Sequence, residues 1–139
     1  MNKTYFYISI TTIISAGVLL LLILYWLLYP YKTIEFKQPL AQVETKEVAR
    51  GDYLVYILDY CKYTDVEAEI NRSFVDGLIY LTPDGIADQP KGCGTARIQI
   101  YIPKSMPVGE YKIKQTRHYK LNPFREETVI YFTEKFKVL

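Results

Sequence analysis

From Thr4 to Tyr31 the chain carries no charged residue, with Lys3 before the run and Lys32 after it. As an α-helix, about 28 residues would extend roughly 40 Å, more than the ~30 Å hydrocarbon core of a bilayer. The run contains 13 Ile, Leu and Val residues. At the per-residue transfer values of such side chains, insertion gains on the order of 4–8 kcal/mol. Tyr5, Phe6 and Tyr7 stand at one end and Tyr25, Trp26, Tyr29 and Tyr31 at the other, where amphipathic rings suit the headgroup level. Tyr7, Leu20 and Leu28 mark the entry, centre and exit of the expected span. No polar face recurs at the helical period, which argues against a helix packed on a soluble core. The end of the run, Tyr25-Trp26-Leu27-Leu28-Tyr29-Pro30, lacks the small-residue pattern of a cleaved signal peptide.

The expected organisation is therefore a transmembrane signal-anchor over residues 1–32 and one outer domain over 33–139. The short basic tail at Lys3 favours a cytoplasmic N-terminus and an extracytoplasmic C-terminal domain. Lys32, Lys37, Lys46 and Arg50 after the span pull the other way by charge counting.

The remaining ~107 residues suffice for one domain with its own core. The formal net charge of +2 argues against a general nucleic-acid binder. Its distribution is uneven. Glu44 to Asp88 holds ten acids and four bases, whereas Lys104 to Arg125 holds six bases and one acid, Glu110. Either acidic and basic strands lie side by side, or the basic stretch forms a face for anionic lipid, glycan or a protein partner.

The outer segment reads as short strands separated by turns. Lys32–Gln38 and Pro39–Val43 are edge pieces, since Pro39 cannot donate to a ladder. Asp52–Tyr63 is rich in β-branched and aromatic residues on both faces, the pattern of a central strand. Val66, Ala68, Ile70 and Phe74 alternate with polar residues, and Arg72 interrupts the apolar side. Asp76-Gly77 and Thr82-Pro83-Asp84-Gly85 read as turns around a short strand at Leu78–Leu81, and Ile86–Gly94 reads as a loop. Ala96, Ile98, Ile100 and Ile102 alternate with Arg97, Gln99 and Tyr101, a half-buried strand. Further on, Tyr111, Ile113 and Tyr119 are expected inside, with Lys112, Lys114, Thr116 and His118 outside. In Thr128–Leu139, Ile130, Phe132, Phe136 and Val138 are expected to share one face.

About seven strands in this length predict an all-β, antiparallel sandwich. The run Ile102-Pro103-Lys104-Ser105-Met106-Pro107-Val108-Gly109-Glu110-Tyr111-Lys112-Ile113 resembles the connection between the fifth and sixth strands of immunoglobulin-like and fibronectin-like sandwiches. The resemblance implies a corner at Gly109 and Tyr111, with the Tyr111 hydroxyl bonding back to the loop. It departs from antibody domains, because the single Trp lies in the apolar run and Ile113 stands where a core Cys would be. It therefore implies a fold and not an activity.

Cys61 and Cys93 are the two cysteines, and both lie outside the apolar run. In an oxidising compartment a disulfide between them is the simplest account; in a cytoplasmic domain they would be free thiols. Catalytic chemistry has little material. His118 is the sole histidine, and no phosphate-binding glycine loop, nucleophile elbow or CxxC spacing is present. No catalytic residue, metal ligand or cofactor is expected. Tyrosine is abundant, with 14 copies, and outward rings offer contact area at low entropy cost. Tyr101, Lys112, Lys114 and His118 are the candidate binding face. The expected function is non-enzymatic: a single-pass membrane protein whose sandwich binds another protein or associates with itself. The alternatives are a surface module for glycan or anionic lipid, or an accessory protein of a bacteriophage or bacterial envelope.

Overall fold

The computed structural model describes residues 3–29, 32–75, 80–81, 85–87 and 89–139, with backbone alone for 80–81 and 85–87. The Asp76-Gly77 turn, residues 82–84 of the next turn, and Pro30 and Tyr31 fall outside the described residues. Among the described residues one helix, α1 (Lys3–Leu28), precedes eleven strand segments. Every described residue of α1 but Ile23 is exposed, and none is buried. Its hydroxyls bond within the helix: Thr11 to the Tyr7 carbonyl, Thr12 to Ile8 and Ser15 to Thr11, each at 2.9 Å. Such back-bonding leaves those hydroxyls without need of outside partners.

The strands form an immunoglobulin-like β-sandwich. In the first sheet, β4 (Tyr53–Lys62) lies between β8 (Gly92–Tyr101) on one side and β1 (Ile34–Phe36) and β2 (Leu40–Val43) on the other. In the second, β9 (Gly109–Asn122) lies between β5 (Ala68–Val75) and β10 (Arg125–Thr133), and β6 (Tyr80–Leu81) and β7 (Gly85–Ala87) flank β5. The edge segment crosses between sheets. Leu40 and Ala41 run parallel to β10, whereas Gln42 and Val43 pair antiparallel with β4. Beyond it, β3 (Glu47–Val48) runs parallel to β11 (Phe136–Val138), which pairs with the start of β9. Eleven segments thus reduce to about seven strand positions, because β1–β3, β6–β7 and β10–β11 are interrupted lengths of single edges.

Local sequence explains the interruptions. Pro39 separates β1 from β2, where a ladder donor is missing. Gly51 adopts φ +87°, the left-handed conformation that lets the chain turn into β4. The Ile86–Gly94 stretch, expected as a loop, instead contributes β7 and the first residues of β8.

The two sheets bury two apolar clusters between them. The larger contains Leu54, Tyr56, Leu58, Phe74, Ile100, Ile102, Met106, Tyr111, Ile113, Phe136 and Val138, among others. The smaller contains Ile34, Tyr60, Ala68, Ile70 and Tyr119, towards the α1 end. In β4 the even residues face inward, which settles a register that its two apolar faces leave open. One expectation fails on the last strand. Ile130 is 50% exposed and Phe132 points outward, while Tyr131 and Thr133 are buried. Glu134 and Lys135 interrupt the strand, so odd residues face inward before them and even residues, Phe136 and Val138, after them.

Candidate functional site

The junction between helix and sandwich is built from the β9–β10 hairpin. An α-helix ends with carbonyls that have no partner within it, and α1 has no basic residue in its last turn. Asn122 and Arg125, on either side of the hairpin's turn, supply donors. The Asn122 amide nitrogen bonds the carbonyls of Trp26 and Tyr29, and Arg125 Nη1 bonds that of Leu28 at 3.3 Å. Asn122 Oδ1 also accepts from the Phe124 amide at 3.0 Å, closing the turn around Pro123. This places the exposed Phe124 ring 5.7 Å from that of Trp26. Beside the same helix end lies a crevice of about 330 Å3 lined by Tyr29, Tyr63, Thr64, Asp65, Val66 and Lys91.

A polar layer lies inside the sandwich. Gln115 and Arg117 occupy inward positions of β9, and Arg117 is 0% exposed. The Gln115 amide satisfies both its sides in one orientation: its oxygen accepts from Arg117 Nε at 2.8 Å and Nη2 at 3.1 Å, and its nitrogen donates to the hydroxyls of Tyr56 at 2.7 Å and Tyr131 at 3.1 Å. Arg117 also donates to the Gln89 side chain and lies 5.5 Å from the centre of the Phe36 ring. Buried Lys62 donates to the Gln89 main-chain oxygen at 2.8 Å. Among the described residues no carboxylate pairs with Arg117, so neutral oxygens and ring faces solvate its charge. Burial pushes the Tyr56 and Tyr131 phenols above the ordinary tyrosine range, and the neighbouring Tyr56 raises Tyr131 further. The sequence signal for this layer was the strict alternation of β9, which puts positions 115 and 117 inside whatever their polarity.

Each expected site residue has a definite place. Cys61 and Cys93 face each other across β4 and β8 and are joined, with sulfurs 2.04 Å apart. The Tyr111 hydroxyl donates to the Pro107 carbonyl at 3.0 Å, and the Tyr111 ring packs within 3.5 Å of where a Cβ on Gly109 would sit. Tyr7, Leu20 and Leu28 lie along α1. The residues of the expected binding face do not meet. Tyr101 is on the outer side of the first sheet, whereas Lys112, Lys114 and His118 are on the outer side of the second. They divide because β8 and β9 belong to different sheets. His118 is engaged by Thr128 at 3.0 Å and Glu126 at 3.2 Å, and Lys112 lies 5.0 Å over the Phe132 ring.

Tyr101 has a different companion, Tyr53, directly opposite on β4, with ring centres 5.5 Å apart. The two are 44% and 57% exposed. Further along β8, Arg97 makes two hydrogen bonds to Glu44, at 2.6 and 2.8 Å, which hold the Glu44 carboxyl below its usual range. Among the described residues β8 pairs only with β4, leaving ten residues of strand with an open edge. No group of three or more His, Cys, Asp or Glu that could hold a metal occurs among the described residues.

No protein-family model matches the chain, and no curated protein sequence does. Among solved structures the chain is similar to a Niemann-Pick type C2 protein from the Japanese carpenter ant. The identity is 11% and the TM-score 0.47, over 78% of this chain and 100% of that one.

Proposed function

We propose that the chain is a non-enzymatic, single-pass membrane protein that presents its β-sandwich outside the cytoplasm as a binding or assembly module. The observation that carries this reading is α1. It has 26 residues and a window of mean hydropathy 2.4, none of it buried. A helix so apolar on every side needs an apolar medium, and the sandwich does not supply one. The Cys61–Cys93 bond favours an oxidising compartment for the head, hence a cytoplasmic N-terminus. In this reading residues 1–32 anchor and residues 33–139 bind.

The contact surface is the open edge of β8 with the Tyr53–Tyr101 pair. An unpaired strand edge offers a row of backbone donors and acceptors to a partner strand. Lys112, Lys114 and His118 lie on the outer side of the second sheet, away from this edge. Extraction of native membranes at alkaline pH tests the anchor: the intact chain should remain in the pellet. A photo-crosslinker at Gln99, which points outward on β8, tests the edge: it should capture a second copy or another protein, while one at Thr128 should not. Release of the chain to the supernatant, or a mature product lacking α1, would overturn the anchor. Equal capture from both positions would overturn the edge.

A further inference from the structure

The helix end of the sandwich carries its charges in opposed pairs. Lys32 pairs with Glu35 at 3.1 Å, Lys120 with Glu69 at 3.3 Å, Arg125 with Glu127 at 3.9 Å and Lys91 with Asp65 at 4.0 Å. These four pairs contribute no net charge. Among the described residues, such paired charges differ from the polybasic collars that hold anionic lipid.

The loosest pair lies in the crevice beside Tyr29. Lys91 and Asp65 have side chains 52% and 84% exposed, so little holds them together. Tyr29 and Tyr63 supply aromatic walls, and Val66 adds an apolar one. Tyr29 directly follows the last turn of α1 and its ring stacks on Tyr25, 5.3 Å away. If α1 spans a bilayer, as proposed above, this crevice opens where phospholipid headgroups lie. A loosely paired cation and anion, flanked by ring faces, match a group that carries both charges. Tyrosine rings attract ammonium through their quadrupole, and a lysine ammonium is a compact phosphate donor.

We propose that the crevice binds the headgroup of a zwitterionic phospholipid, with its phosphate on Lys91 and its ammonium between Asp65 and the ring of Tyr63. A headgroup bearing only negative charge would meet Asp65 without compensation.

The test uses the full chain, solubilised and offered equal amounts of phosphatidylethanolamine and phosphatidylglycerol, with retained lipid read by native mass spectrometry. The wild type should retain the ethanolamine lipid in preference by about three- to tenfold, the size of one or two exposed charge-assisted contacts. Lys91→Glu should weaken retention of both lipids, because both carry the phosphate, and Asp65→Lys, which removes the ammonium partner, should reverse the preference. Both are surface positions, and an intact disulfide with an unchanged circular dichroism spectrum would confirm that each variant folds. Sedimentation with vesicles of both lipids, measured in parallel, separates this proposal from the anchor itself. A chain that fails to sediment removes the anchor and the site together. A chain that sediments yet retains both lipids equally, prefers the glycerol lipid, or is unaffected by either substitution keeps its anchor and overturns the headgroup site.

Discussion

The half of the sandwich far from α1 and the half near it are held together by different means. In the far half, β8 turns Ile98 and Ile100 inward, followed by Ile102, onto Leu54, Phe74, Met106 and Phe136. In the near half the same strand turns only Gly94 and Ala96 inward, and the Tyr60 ring lies against Gly94. There the Cys61–Cys93 bond ties β8 to β4 directly, and the Gln115–Arg117 layer joins β9 to Tyr56, Tyr131 and Gln89. Apolar burial needs only shape and area, whereas the near half adds to its smaller apolar cluster a covalent link and a polar layer that works only with every partner present.

That contrast can be broken from either side, with unfolding of the full chain followed in detergent by urea titration. Phe74→Ala should have the largest effect, about 3–5 kcal/mol, because a fully buried ring leaves a cavity in the far core. Opening the disulfide, by reduction or by Cys61→Ser with Cys93→Ser, should cost about 2–4 kcal/mol for its 32-residue separation. Hydrogen exchange should then rise along Gly92–Ala96 and stay low along Ile98–Ile102. Uniform exchange along β8 would show that the halves do not differ. Gln115→Leu should cost about 2–3 kcal/mol, since it leaves two phenols and a guanidinium without their shared partner. A neutral result would mean that the polar layer gives no stability.

Two pH effects follow in decreasing size. The folded Tyr56 and Tyr131 phenols hold their protons beyond the unfolded pKa of about 10. Their contribution is therefore complete below that pH and is lost as pH rises above it, as the unfolded chain ionises and the folded one does not. The urea midpoint should fall above pH 10, and Tyr131→Phe should blunt the fall. Glu44 behaves oppositely. Its carboxyl is lowered by Arg97, so its contribution is present above the unfolded carboxylate pKa and fades as pH falls through acid. Both groups are solvated, so the Glu44→Gln midpoint should match the wild type within error at neutral pH.

Much of this fold was legible because alternation is a local property. β4, β8 and the first part of β9 sit close to where their apolar periods put them, and the Pro-x-Gly-x-Tyr run closes a corner. What escaped was set by single insertions or by distant strands. Glu134 and Lys135 reverse the parity of the last strand, and no period announces such a step. Reading Tyr111 and Tyr119 as inward already placed Gln115 and Arg117 inside, yet their polarity hid them. The expected binding face divides for a third reason: like chemistry in neighbouring stretches does not put residues on one surface, and sheet order separates Tyr101 from Lys112, Lys114 and His118.

The grip of Asn122 and Arg125 on the last carbonyls of α1 has a mechanical consequence. A rod joined to its load by one flexible thread can spin without moving it. A rod clamped at its tip transmits torque, so any twist or tilt imposed on α1 would swing the Tyr53–Tyr101 end through an arc.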